Sequence, residues 1–158
     1  MRETAHRFLQ PLIVLLVFAA DRATKAWALA WLRPRESVKV LPFFHLSYVE
    51  NTGAAWGMLQ HNNALLIGVT VALLAALLHL KRRWPKENLW AHYGMVLVAG
   101  GALGNLWDRV ALGHVVDFLD FHAFGYHWPA FNLADSAITV GAALLVLDAF
   151  RTHKGPAP

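Results

Sequence analysis

The sequence contains no cysteine. Disulfides, a thiolate nucleophile and cysteine-ligated metal are excluded together, and the redox compartment leaves no mark on the chain. Charge is also scarce. Asp, Glu, Lys and Arg make up 15% of the 158 residues, against about 25% in an ordinary soluble domain. No His-Glu-x-x-His pattern occurs, and Ser136 has no Gly-x-Ser-x-Gly elbow around it. Internal repeats are absent, and the only biased stretch is the short tail 154–158.

What fills the chain instead is apolar. Hydrophobic residues account for 57% and the mean hydropathy is +0.40, the balance of a membrane protein. The length suggests one domain, 1–158. Apolar segments run over 8–31, 63–80, 89–106 and 132–150. A helix of nineteen residues rises about 28 Å, close to the roughly 30 Å of a bilayer's hydrocarbon. The fold class expected is therefore all-α: four transmembrane helices. The first segment lacks a small-residue cleavage site and meets Asp21-Arg22 directly, so it reads as an uncleaved span.

The net charge of +4 could suggest nucleic acid, but the basic residues cluster at the ends of apolar runs. Arg2, Arg7, Lys81, Arg82, Arg83, Lys86, Arg151 and Lys154 fall on one side of the expected bundle. Arg33, Arg35, Lys39 and Arg109 fall on the other. Eight against four places both termini in the cytoplasm. Segments 33–62 and 110–131 then face outward. Within the first, Ser37–Leu41 and Phe43–Val49 show β-branched and aromatic residues in partial alternation, so a small extracytoplasmic β-sheet is expected between helices 1 and 2. Trp27, Trp31, Trp56, Trp107 and Trp128 fall near the outer boundary, as in an aromatic belt or in helix packing.

Against this apolar background the carboxylates stand out. Asp135 opens the fourth apolar run, three residues after Asn132, a good N-cap; the positive end of a helix dipole favours a carboxylate there. Asp117 lies 18 positions earlier, in the outer segment. Either alone could be an ordinary headgroup-facing acid. Folded together they could share a proton and activate a water. Asp21 and Lys25 are four apart, share a helix face and can pair as support for a site. Asp108-Arg109 is read as similar scaffolding, and Asp148 near Arg151 as a solvated cytoplasmic end. Gly100, Gly101 and Gly104 offer a close helix contact across which Asn105 could bond. Gly53 and Gly57 suit a turn. His114, His122 and His127 accompany Asp117 and Asp120 outside, but without compact ligand spacing, so interfacial histidines are expected rather than a metal site.

Five motifs in order carry a resemblance. They are Asp21-Arg22-Ala23-Thr24-Lys25, the stretch Val49-Glu50-Asn51-Thr52-Gly53-Ala54-Ala55-Trp56-Gly57, the stretch Gly101-Ala102-Leu103-Gly104-Asn105-Leu106-Trp107-Asp108-Arg109, Val115-Val116-Asp117-Phe118, and Phe131-Asn132-Leu133-Ala134-Asp135-Ser136. Together they span most of the chain, which resembles the lipoprotein signal peptidase (signal peptidase II) family. The resemblance implies a membrane aspartic endopeptidase of the bacterial inner membrane, active at its extracytoplasmic face. Its substrate would be a diacylglyceryl-modified prolipoprotein, cut just before the modified cysteine. The catalytic pair would be Asp117 and Asp135. Asp21, Lys25, Asn51, Gly53, Asn105, Asp108, Arg109, Asn132 and Ala134 would support it or bind substrate. No metal, cofactor or nucleic acid is implied; lipid is, and the enzyme is expected to act as a monomer. Arg22 and Trp56 depart from the family's common Gln and Phe, which bears only on fine substrate contacts. A proton or cation transporter relaying through Asp21, Asp117 and Asp135 is the competing reading, though it predicts inverted repeats. An inactive membrane scaffold is the third.

Overall fold

The computed structural model describes residues 2–53, 58–84 and 88–152, with side chains from 9 to 151 within those ranges. Trp56, Gly57, Lys86 and Lys154 lie outside the described residues, as do the side chains of Arg2 and Arg7.

The described residues form four long helices and one small sheet. Helix α1 (Arg2–Trp27) widens into a π-helical turn, Ala28–Leu32, and a short 3-10 turn, Arg33–Arg35. Strands β1 (Ser37–Leu41) and β2 (Phe44–Asn51) follow, then α2 (Asn63–Arg83) and α3 (Leu89–Ala111). Strands β3 (Val115–Ala123) and β4 (Tyr126–His127) lead into α4 (Leu133–Thr152). Helix α2 and residues Leu133–Arg151 of α4 are long and apolar enough to cross a membrane. Their exteriors stay greasy: Leu65, Val69, Leu78, Val140 and Phe150 are all exposed, as suits helices solvated by lipid.

Helix α3 is central, packing on α1, α2 and α4. Small residues permit this. A Cβ on Gly94 would come within 2.8 Å of the Gly141 carbonyl, and one on Gly141 within 2.6 Å of the Gly94 carbonyl, so α3 and α4 meet backbone to backbone. One end of the α3–α4 contact is further held by Gly101 against Ala134, and α1 approaches α3 where Gly104 meets the Asp21 carboxylate. Gly104→Ala is expected to cost about 1–3 kcal/mol through overpacking, read as a lower melting temperature in detergent. An unchanged melting temperature would show that Asp21 has room to yield.

The sheet is antiparallel, in the order β1-β2-β3-β4. Its first half occupies the expected segment between α1 and α2. The other half comes from 110–131, an outward-facing segment for which the sequence predicts no strand. Here the structure corrects the expectation. Strand β3 pairs along β2 with Val49 opposite Asp117 and Asn51 opposite Val115. Val115 to Phe118 are buried without a break, so no alternation marks the strand. Gly113 (φ +81°) turns the chain off α3. Phe124 and Gly125, both at positive φ, close the β3–β4 hairpin in a two-residue turn. Beneath the sheet, Ala28, Leu32, Val116 and Phe118 form a buried cluster with Leu46 and Leu119 around it. That cluster seats the sheet on the end of α1.

Asp148 departs from the sequence reading too. It is buried and accepts a hydrogen bond from Asn88 Nδ2 at 2.7 Å. Arg151 instead lies over the Trp90 ring, 4.9 Å from its centroid.

Candidate active site

Asn132 organises the start of α4. Its side-chain oxygen accepts the Asp135 N–H at 2.9 Å, while Asp135 Oδ2 accepts the Asn132 N–H at 3.1 Å. This reciprocal arrangement is a capping box built from Asn and Asp. Because the Asn132 oxygen is committed to the cap, its amide nitrogen faces the other way and donates to Asp117 Oδ1 at 2.7 Å. One residue thus touches both carboxylates.

Two more amides are oriented by the same logic. Lys25 can only donate, and its Nζ meets Asn105 Oδ1 at 2.8 Å. Asn105 Nδ2 is therefore turned to Asp135 Oδ1, at 2.7 Å. The Gly53 N–H donates to Asn51 Oδ1 at 3.0 Å, which turns Asn51 Nδ2 to Asp117 Oδ2 at 2.9 Å. Each carboxylate accepts two such bonds, which leaves other lone pairs free. The partners are mostly neutral donors, so they fix the carboxylates in place without neutralising them.

Behind this layer lies a buried charge network. Lys25 is fully buried and sits 3.0 Å from Asp21 Oδ2 and 2.9 Å from Asp108 Oδ2. The Asp21 contact is an ion pair rather than an aligned hydrogen bond. Asp21 Oδ1 accepts the Ala134 N–H at 3.2 Å, and Asp108 accepts the Val116 N–H at 3.2 Å. The network therefore grips both β3, beside Asp117, and α4, beside Asp135. Arg109 donates to the Gly53 carbonyl at 2.8 Å, holding the turn after β2. Arg22 forms an ion pair with Asp108. Its departure from the family pattern thus reaches this network and not just substrate contacts. No spacing in the sequence links Arg22 to Asp108, 86 positions away.

Asp117 and Asp135 line one cleft of about 810 Å³. Its walls are the end of β2 (Val49 to Thr52), Gln60, the segment Trp128 to Phe131, and Thr139 and Val140 on α4. The sequence reading missed the Trp128–Phe131 wall and Gln60. The wall is positioned by Phe131 backbone bonds to Phe118 and Leu119, a bridge no local pattern announces. Asp117 is 1% exposed, whereas Asp135 is half-buried and opens to the cleft. Burial, then the neighbouring Asp135 charge, pushes the Asp117 carboxyl up from 3.8 to about 7, against the hydrogen bonds from Asn51 and Asn132.

The outer histidines gather elsewhere. His122 stacks on His127, which bonds Asp120 at 3.0 Å rather than Asp117. Among the described residues no group of three or more His, Asp or Glu is placed to hold a metal.

A pair of carboxyls sharing one cleft on an apolar helical bundle, with no nucleophilic triad beside them among the described residues, is the arrangement that a membrane enzyme of the aspartic type requires. The family model described as signal peptidase (SPase) II matches residues 13–151. A lipoprotein signal peptidase of Shewanella loihica is 47% identical, with 91% of this chain and 87% of that one covered. One from Vibrio cholerae is 42% identical, covering 90% and 86%. Two bacterial membrane enzymes solved by the in meso method share the fold. One has a TM-score of 0.86 at 33% identity, over 95% of this chain and 93% of its own. The other has a TM-score of 0.80 at 35% identity, over 89% and 92%. The chain belongs to the signal peptidase II family.

Proposed function

We propose that this peptidase removes signal peptides from bacterial prolipoproteins, cutting on the N-terminal side of the diacylglyceryl-modified cysteine through Asp117 and Asp135. The observation that carries the reading is the shared cleft. Two carboxyls line it, each held by two hydrogen bonds and each with lone pairs left over. In the proposed cycle one carboxylate takes a proton from a water between the pair. The other carboxyl, protonated, donates a hydrogen bond to the scissile carbonyl. The water oxygen attacks that carbonyl carbon, and the proton passes to the leaving amine as the C–N bond breaks. Two like charges so placed resist ionising together, and the pair titrates as a unit. Burial favours keeping a proton on Asp117 near neutrality. Neither role is permanent, since the proton changes hands within a turnover.

All four helices cross the inner membrane in this reading, with both termini cytoplasmic. The lengths of α1 and α3, 26 and 23 residues, support it beside the two clearly apolar helices. The sheet and cleft then lie at the extracytoplasmic face, where a substrate keeps its acyl chains in the bilayer while its backbone reaches the carboxyls. Asn51 to Gly53 and the Trp128–Phe131 wall flank that path. The supporting roles fall to Asp21, Lys25, Asn105, Asp108, Arg109, Asn132 and Ala134, and the enzyme acts as a monomer. Family membership favours this reading over ion transport.

The test is cleavage by the purified protein of two forms of one prolipoprotein, with and without the diacylglyceryl group. Cleavage confined to the modified form, leaving the modified cysteine at the new N-terminus, is expected. Equal cleavage of both forms, or a cut elsewhere, would overturn the substrate assignment.

A further inference from the structure

A second cavity, of about 270 Å³, lies between α1, α2 and α3. Val14, Leu74, Leu78, Met95 and Leu103 are among its lining residues, and Lys81 is the charged one among the described residues. It exists because α2 packs on α3 but scarcely touches α1, leaving a slot two turns long open to the outside of the bundle. The charged end of the slot, at Lys81, is remote from the carboxyls. Asn63, at the first turn of α2, bonds the Arg109 carbonyl at 2.9 Å beside the active-site network. Lys81 lies eighteen residues further along, a rise of about 27 Å. The charged end of the slot thus lies at the opposite end of α2 from the carboxyls.

We propose that this slot binds one acyl chain of an anionic phospholipid of the cytoplasmic leaflet, with the lipid phosphate paired to Lys81. The inference rests on the reading of α1, α2 and α3 as lipid-embedded. An almost wholly apolar wall has no polar partners to hold water, whereas a hydrocarbon chain fits it. The charge at its end selects the headgroup. Lys81 opens the run Lys81-Arg82-Arg83 in the last turn of α2 and is the member of that run that lines the slot. A lysine at the end of an apolar interhelical slot, on the side read as cytoplasmic, complements an anionic headgroup rather than a neutral one.

Native mass spectrometry of the full-length protein tests this, with phosphatidylglycerol, phosphatidylcholine and inorganic phosphate as probes. Phosphatidylglycerol should be retained about five-fold better than phosphatidylcholine, and inorganic phosphate should not displace it. Lys81→Gln should abolish the preference while both lipids still bind. Ala99→Phe, which fills the slot, should remove one bound lipid of either kind. A preference that survives Lys81→Gln, full lipid retention by a folded Ala99→Phe, or displacement by inorganic phosphate would each overturn the proposal. If Ala99→Phe fails to fold, Lys81→Gln decides alone. Prolipoprotein cleavage is followed in parallel: its absence in the wild-type protein would overturn the peptidase reading and leave the lipid result standing.

Discussion

Asp117→Asn and Asp135→Asn should each lower cleavage of a diacylglyceryl-modified prolipoprotein by about 10²–10⁴-fold, the usual worth of a positioned acid or base. The amide oxygen of either variant keeps one framework bond, while its NH2 group meets the second donor and loses the other, a cost of about 1–3 kcal/mol that the fold should survive. Stability against pH separates Asp117 from a bystander. Its carboxyl is raised from 3.8 to about 7, so the folded protein binds the proton more tightly than the unfolded chain. Stability from this group is present below about pH 4, falls as pH rises and is lost above about pH 7. The rise corresponds to about 4 kcal/mol, an upper figure because unfolding in detergent leaves the group partly desolvated. Asp117→Asn should remove this slope, and so should melt higher than the wild-type protein at pH 8 while being inactive. Melting temperatures across pH 4–8 together with a cleavage assay check both halves. Wild-type cleavage by either purified variant would sink the dyad, and an unchanged slope would sink the titration of Asp117.

Lys25→Met is expected to be the most destabilising single change in the charge network, at about 3–5 kcal/mol. Lys25 is fully buried and faces two carboxylates and an amide oxygen. Arg22 still pairs with Asp108 when Lys25 is gone, but Asp21 loses its only cationic partner among the described residues. The functional loss has a separate cause. Without Lys25, the Asn105 oxygen keeps only the longer bond from Asn132 Nδ2, 3.2 Å, so the amide is held less firmly with its nitrogen toward Asp135. The double variant Lys25→Met, Asp21→Asn should therefore recover part of the stability, by removing the stranded charge, and little of the activity. Unfolding and cleavage measured across the four-member cycle distinguish the two losses. Full recovery of both would reduce Lys25 to a counter-ion.

The carboxylates could be singled out from the sequence because lipid makes charge expensive. In a chain with 57% hydrophobic residues, an aspartate at the head of an apolar run is conspicuous, and Asn132 three residues earlier announces the cap that holds it. Asp21 and Lys25 were equally legible, since helical periodicity brings positions four apart onto one face and the pair is 3.0 Å apart. These are local relations, set by the backbone's own geometry. Gly100, Gly101 and Gly104 on α3 signalled a close helix contact for the same reason, although their partners Val17, Ala134 and Asp21 did not follow.

Whatever depended on distant segments was decided only by the tertiary fold. Strand β3 carries Asp117, yet Val115 to Phe118 are buried continuously and show no alternation to mark them. The strand exists because β2 offers a free edge and the end of α1 offers an apolar seat. Asp148 looked solvated because it sits among basic residues near the chain end, but an asparagine 60 positions away buries it. Arg22 looked incidental until α3 brought Asp108 to it. The sequence by itself determined the class of solvent, the helices and which acids were costly enough to matter. The tertiary structure decided that Asp117 and Asp135 open into one cleft, because long-range pairing depends on packing between segments, and that leaves no period along the chain.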